Sequence, residues 1–168
     1  SILAMRLFFS KSRDEAENIL DELITYNNER KKATEDAVGK IVSELGDDAE
    51  NSNVIIKYIP DCHESVAGIA AGRVKDIYHR PVIVLTDSSD ENSIKGSARS
   101  VEGFDIFERI MTCRDLLFRF GGHPMAAGLT LEKKNFDEFV RRMNEPGWPE
   151  GADKFKRIVI DAAVPFSK

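Results

Sequence analysis

Two apolar strands with a helix between them are the feature that most restricts the fold of this chain. Residues 54–59 (VIIKYI) predict a strand, residues 66–78 predict a helix, and residues 81–86 (PVIVLT) predict a second strand. The continuous apolar character of the second strand is typical of burial on both faces. A strand, a helix and a strand in this order form a right-handed crossover with a parallel strand pair. We therefore expect an α/β fold, with a small mixed sheet flanked by helices.

The pattern continues with a polar third strand, two short helices, a fourth strand and a last helix. The predicted ranges are 94–100 for the polar strand, 104–110 and 116–120 for the short helices, 126–131 for the fourth strand and 135–143 for the last helix. The second short helix is expected to lead into a turn made of Gly121, Gly122 and His123.

The N-terminal part predicts helices of a different kind. Residues 2–9 form a short amphipathic pattern, and Ser12 with Glu15 makes a capping box that begins a second helix. Helical spacing runs on to Leu45, with a polar stretch in the middle, so an unbroken helix would be about 50 Å long. Such a helix is typical of a bridge between two bodies. The alternative is two shorter helices with a kink near Asn27, and Gly39 offers another interruption.

These patterns suggest three segments. Residues 1–50 form a helical connector that includes the long interdomain helix, residues 53–146 form the main domain, and residues 152–168 begin a further, truncated domain. Apolar residues near the start of the chain and a strand-like run at 157–161 lack partners, so we expect a piece of a longer protein.

Composition limits the classes of function. The chain has 168 residues and a formal net charge of −5, with most of the acidic excess in the first 50 residues. An acidic protein cannot attract nucleic acid through its overall field, so any phosphate site must be a local cluster. Cys62 and Cys113 are too few for a disulfide framework or a zinc site. The chain has neither a membrane-length apolar run nor a secretory signal, which favours a cytoplasmic protein.

Three segments of the main domain contain groups suited to a phosphate. They are Arg73 on the 66–78 helix, Ser97 with Arg99 on the polar strand, and Gly121, Gly122 and His123 at the predicted turn. A guanidinium offers planar bidentate donors, a serine hydroxyl adds a neutral donor, and glycines leave backbone N–H groups bare. Together they predict one anion site built from distant parts of the chain.

Each segment also has a purely structural interpretation. Arg73 could be a surface residue of its helix, and Ser97 with Arg99 could be the solvent face of an edge strand. The Gly-Gly-His stretch could be a glycine-capped helix end before a strand. His63 stands just before the 66–78 helix, where an anion is favoured, but it could equally cap that helix.

Four motifs, taken in order, make the chain similar to the DHH-associated domain of the RecJ exonuclease family. They are residues 63–73 (HESVAGIAAGR), 80–85 (RPVIVL), 96–100 (GSARS) and 120–131 (FGGHPMAAGLTL). The resemblance runs from about residue 5 to residue 145 and into the segment that follows.

The resemblance implies a hydrolase that removes nucleotides from the 5′ end of single-stranded DNA, with a place in DNA repair and recombination. It implies Mn²⁺ or Mg²⁺ held by an N-terminal DHH domain, whose ligand motifs this chain lacks. The chain alone would then be inactive, with His123 at most assisting, and its partners would be single-stranded DNA and that DHH domain, with no membrane. Residues 152–168 would open an oligonucleotide-binding barrel.

The resemblance also implies roles for the residues that match the family motifs. Arg73, Ser97 and Arg99 would hold the terminal 5′-phosphate. The nucleotide near the scissile phosphate would be contacted by Gly121, Gly122 and His123. His63 would be a further substrate contact.

Two other classes stay open at this point. One is another DHH-superfamily phosphodiesterase, acting on oligoribonucleotides or cyclic dinucleotides. The other is a non-catalytic RNA-binding module similar to the related domain of alanyl-tRNA synthetases.

Overall fold

The fold is described from a computed structural model, which covers residues 2–46, 52–147 and 162. In chain order the helices are α1 (Ile2–Phe8), α2 (Arg13–Leu45), α3 (Glu64–Tyr78), α4 (Ile106–Met111) and α5 (Phe136–Met143). The strands are β1 (Ile55–Tyr58), β2 (Val82–Asp87), β3 (Ser93–Arg99), β4 (Leu117–His123) and β5 (Ala126–Glu132). Single turns of 3-10 helix occupy Arg114–Leu116 and Lys133–Asn135. The predicted strand-like run at 157–161, and with it the predicted start of a further domain, lies outside the described residues.

The five strands form one mixed sheet in the order β1-β2-β3-β5-β4. β1 and β2 are parallel and are joined through α3, whereas the other neighbouring pairs are antiparallel. The predicted α/β class and the predicted parallel crossover unit are confirmed. The edge-strand interpretation of Ser97 and Arg99 is wrong, because β3 is the middle strand of the sheet.

Helices cover both faces of the sheet, and β2 shows why its sequence is apolar throughout. Val82 and Val84 pack in a cluster with residues of α2 and α3, while Ile83 and Leu85 pack in a second cluster with residues of α4 and α5. All four side chains are fully buried. Successive side chains of a strand alternate between faces, so a strand between two helical layers needs apolar residues at every position.

α2 is one continuous helix of 33 residues, about 50 Å long. The Ser12 hydroxyl accepts a hydrogen bond from the Glu15 N–H (3.2 Å), and the Glu15 carboxylate accepts one from the Lys11 N–H (3.1 Å). The interpretation as two shorter helices is therefore wrong. Only the C-terminal part of α2 packs on the domain, through Ala37 and its neighbours along the helix, while residues 28–33 are exposed.

The prediction of a helix at 116–120 is wrong, because most of this stretch belongs to β4. Leu117 pairs with Leu131 and Arg119 pairs with Thr130, so Phe118 is an extra residue in a β-bulge. The bulge places the half-buried Leu117 and Phe120 three positions apart, which imitates the apolar spacing of a helix.

The expected Gly-Gly-His turn is a strand end. Gly121, Gly122 and His123 are the last residues of β4, and the hairpin turn itself consists of Pro124 and Met125. A glycine-capped helix end is also excluded here, since the chain enters this stretch as a strand. Separately, no helix within the described residues combines the length and the apolar character needed to cross a bilayer.

Candidate functional site

One face of β3, β5 and β4 has a polar surface instead of an apolar core. Three rows of directly paired residues cross the three strands there: Arg99–Ala126–His123, Ser97–Gly128–Gly121 and Lys95–Thr130–Arg119. Paired residues point to the same side of a sheet, and residues two apart along a strand share that side. The intervening Ala98, Ala127 and Leu129 are buried in the core on the other side. We call this polar side the open face.

α3 lies beside the open face and turns it into a cleft of about 370 Å³. Glu64 and Ala67 line the cleft from α3, and Ser97, Gly121 and Gly128 line it from the sheet. Lys95, Arg119 and Thr130 line its far end. Arg99 and His123 do not line the cleft itself, but their row follows the middle row on the open face. The middle row of small residues thus lies between the row of Arg99 and the row of Lys95 and Arg119, an arrangement that suits an extended anionic ligand.

The paired glycines Gly121 and Gly128 are not required by packing. A Cβ on Gly121 would meet no atom within 4 Å, and one on Gly128 would meet only the Gly96 carbonyl oxygen at 3.9 Å. Neither glycine has a positive φ angle, so the backbone conformation does not require glycine at these positions. Their missing side chains leave the floor of the cleft open, so that a ligand can approach the backbone closely.

Two other glycines are required by the sheet itself. A Cβ on Gly122 would collide with the Ala126 carbonyl oxygen and lie 2.7 Å from Ala127 Cβ. A Cβ on Gly96 would lie 2.6 Å from the Val84 carbonyl oxygen. Gly122 therefore has a structural role in the hairpin, whereas its neighbour Gly121 leaves the floor of the cleft open.

Close packing between α3 and β3 holds the predicted phosphate ligands. A Cβ on Gly68 would lie 2.8 Å from Arg99 Nη2 and 3.3 Å from Ser97 Oγ. Arg99 Nη1 donates a hydrogen bond to the Ala98 carbonyl oxygen at 2.8 Å. The half-buried guanidinium is thus restricted on two sides, while no ion pair with a described residue neutralises it.

His123 is exposed at the end of β4, in the row of Arg99. The Met125 N–H donates a hydrogen bond to its Nδ1 at 3.3 Å. With Nδ1 acting as acceptor, a neutral ring carries its proton on Nε2, which makes Nε2 a donor. His123 can therefore donate to an anion at this edge of the open face.

Arg73 and His63 lie outside this cleft. Arg73 is exposed, and at 3.6 residues per turn it lies about 140° around α3 from Gly68. It makes no hydrogen bond or ion pair with a described residue. His63 caps α3, since its Nδ1 accepts a hydrogen bond from the Ser65 N–H at 3.2 Å. It lines a different hollow of about 350 Å³, next to Asp36 of α2.

The structure therefore brings together two of the three predicted segments. Ser97 and Arg99 share the open face with Gly121 and His123. The third segment, α3, lines the cleft with Glu64 and Ala67 and not with the predicted Arg73. Sequence reasoning missed Lys95, Arg119 and Glu64. Period-two spacing could have found the first two, since each stands two positions before a predicted site residue, but the helical interpretation of residues 116–120 concealed Arg119.

The wall and the floor of the cleft are linked by an ion pair between Glu64 and Lys95, with 2.5 Å between Oε2 and Nζ. Glu64 is at the first position of α3 and Lys95 is on β3. The Glu64 side chain is 66% exposed, so the pair contributes little to stability. Its main effect is to place a carboxylate beside a cation that could otherwise bind an anion.

The described residues contain no evident reactive centre. Burial raises the pKa of the Cys62 and Cys113 thiols, so neither is a ready nucleophile. No group of three or more His, Cys, Asp or Glu side chains in the described part of the chain could hold a metal ion. These described residues do not fit a two-metal centre.

Comparison with known proteins identifies the class to which this arrangement belongs. The model of the DHHA1 domain matches residues 51–146, and the chain belongs to the DHHA1 domain family. This range contains the whole sheet and the open face.

Particular relatives agree with this assignment. The single-stranded-DNA-specific exonuclease RecJ of Bacillus subtilis is 35% identical over 142 residues, which is 84% of this chain and 18% of that protein. The RecJ of Salmonella typhimurium is 46% identical over 92 residues, 52% of this chain and 16% of that protein. The crystal structure of RecJ in complex with Mg²⁺ from Thermus thermophilus matches with a TM-score of 0.75 and 28% identity, over 84% of this chain and 22% of that one. The chain thus spans less than a quarter of the length of these relatives.

Proposed function

We propose that this chain is the substrate-binding part of a RecJ-like exonuclease that hydrolyses single-stranded DNA from its 5′ end. The observation that supports this most directly is the position of Ser97 and Arg99 on one open face with Gly121 and His123. The relatives reported above carry this enzyme name, which favours it over a cyclic-dinucleotide phosphodiesterase or an RNA-binding module.

In this proposal Arg99 and Ser97 bind the terminal 5′-phosphate. The guanidinium supplies two parallel donors and a full positive charge, and the hydroxyl supplies a third donor. Gly121 and Gly128 let the first nucleotide lie close to the backbone, and His123 donates from the same edge as Arg99. Arg73, whose guanidinium is exposed, and His63 remain proposed substrate contacts outside the cleft.

Hydrolysis itself is assigned to a DHH domain elsewhere in the protein. The metal that the family implies, Mg²⁺ or Mn²⁺, would supply the nucleophile and stabilise the leaving oxygen there. In this proposal residues 1–50 connect the two domains, residues 53–146 bind the substrate, and residues 152–168 begin a third domain. A cytoplasmic location is also part of the proposal, in keeping with the free thiols of Cys62 and Cys113.

A binding comparison tests the proposed function. The chain is titrated with two oligothymidylates that differ only in a 5′-phosphate or a 5′-hydroxyl end, at one fixed salt concentration. A hydrogen bond to a charged group contributes about 1.5–3 kcal/mol, so the phosphorylated strand should bind about 10-fold more tightly or better. Arg99→Ala should remove most of this preference. The matched control is Arg114→Ala, which removes an exposed arginine of the 3-10 turn before β4 that does not line the cleft. Equal binding of the two strands by the unaltered chain would contradict the proposal.

A further inference from the structure

Arg119 is an exposed cationic residue of the open face that, like Lys95, the sequence motifs do not mark. It is exposed on β4, lines the cleft, and makes no hydrogen bond or ion pair with a described residue. Lys95, in the same row, is already paired with Glu64. Arg119 therefore keeps its full donor capacity for a ligand.

Arg119 lies at the opposite end of the floor from Arg99. Its row is four residues along the strands from the row of Arg99, which corresponds to about 13 Å at about 3.3 Å per residue. β3 and β4 are separated by β5, so the floor is about 10 Å wide. Between the two ends lie Ser97, Gly128 and Gly121, which offer little side-chain bulk.

We propose that Arg119, supported by Lys95, binds an internal phosphate of the strand whose 5′-phosphate is held by Arg99. This inference rests on the proposed function, because it needs the 5′ end at the Arg99 row. Arg99 on β3 and Arg119 on β4 lie diagonally across the floor, so the two spacings combine to about 16 Å. Stacked single strands advance about 3.4 Å per nucleotide, so this span corresponds to about five nucleotides, or fewer where the strand is extended. A mononucleotide cannot occupy both ends, whereas a hexanucleotide can. The second contact would make affinity depend on strand length as well as on the 5′ end.

The experiment compares two ligands and three variants. Thymidine 5′-monophosphate and 5′-phosphorylated hexathymidylate are titrated into the unaltered chain, Arg119→Ala and Arg119→Lys, with Arg114→Ala as the control that removes a nearby exposed arginine outside the cleft. Arg119→Ala should weaken hexanucleotide binding by about 10-fold and leave mononucleotide binding unchanged. The slope of log K against log salt for the hexanucleotide should fall by about 0.7, and Arg119→Lys should restore that slope. Arg119 is exposed, so thermal unfolding should not change.

The outcomes separate this inference from the proposed function. If Arg119→Ala binds the hexanucleotide as tightly as Arg114→Ala does, while Arg99→Ala still loses the preference for a 5′-phosphate, the second site is refuted and the proposed function stands. If Arg119→Ala weakens both ligands equally, Arg119 acts on the 5′-phosphate itself, and the second site is again refuted. If neither ligand binds the unaltered chain, both proposals fail.

Discussion

Gly68 of α3 faces Arg99 of β3 so closely that an added Cβ would lie 2.8 Å from the guanidinium Nη2. Because Gly68 has no side chain, the helix and the Arg99 guanidinium can lie this close together. The guanidinium is consequently confined between the helix and the sheet. This confinement reduces the conformational entropy that the Arg99 side chain loses when it binds a ligand.

Gly68→Ala should therefore impair binding without impairing folding. The atom in the way is the far end of a flexible side chain, so Arg99 can shift, and alanine also has the better helix propensity. We expect affinity for 5′-phosphorylated DNA to fall about 10-fold, with an unchanged or raised melting temperature. Gly72→Ala is the matched control, because a Cβ there would meet no atom within 4 Å. Equal affinities for the two variants, measured by fluorescence anisotropy, would refute the role given to Gly68.

Gly121→Ala and Gly122→Ala should separate function from stability. A Cβ on Gly121 has free space, whereas one on Gly122 would lie 2.7 Å from Ala127 Cβ, within the hairpin. Gly122→Ala should cost about 2 kcal/mol or more of unfolding free energy, because the strands must separate. Gly121→Ala should unfold like the parent chain but bind single-stranded DNA more weakly. Urea denaturation and DNA titration of both variants check this, and an unchanged urea midpoint for Gly122→Ala would contradict it.

Glu64→Gln should strengthen binding. The carboxylate of Glu64 pairs with Lys95 at the edge of the cleft, and its removal leaves the ammonium group free for a phosphate. An exposed ion pair contributes at most about 1 kcal/mol, so we expect an affinity gain of about 2- to 5-fold at low salt and almost no change in stability. Glu91→Gln changes the net charge equally from an exposed turn and is the control. A gain of the same size in both variants would show that only net charge matters.

Glu138 should make stability depend on pH in the acidic range. Hydrogen bonds from Arg141 and then Arg142 lower the pKa of Glu138 from 4.5 to about 2. Because the folded-state pKa is depressed, the stabilising contribution is present above about pH 4.5 and is lost as pH falls towards 2. NMR titration of the Glu138 side chain should show a midpoint near 2, and Glu138→Gln should lose less stability than the parent between these pH values. A midpoint above 4 would contradict the network.

The sequence was sufficient for those parts of the fold whose signals are local. The capping box at Ser12 predicted where α2 begins, and the apolar run 82–85 predicted a strand covered on both faces. β4 was missed because a bulge is defined by its pairing with β5. The extra residue, Phe118, gives Leu117 and Phe120 a helical spacing that only the partner strand corrects.

Site residues that belong to sequence motifs could be predicted. Site residues that share the open face only because of strand pairing could not. Ser97, Arg99 and the Gly-Gly-His stretch stand out by residue type. Arg119 becomes a site residue only once β4 is known to pair with β5, which places it in the row of Lys95. Which side of α3 faces the sheet also depends on packing, which is why Gly68 and not Arg73 is beside Arg99.

Chemical-shift mapping determines whether the open face of β3, β5 and β4 binds the 5′ end of single-stranded DNA. A 5′-phosphorylated oligonucleotide is titrated into the ¹⁵N-labelled chain while backbone amide signals are followed. If it does, the largest shifts should occur at Ser97, Gly121 and Gly128. Unchanged signals at these three residues, with the largest shifts around Asp36 and His63, would contradict binding at the open face.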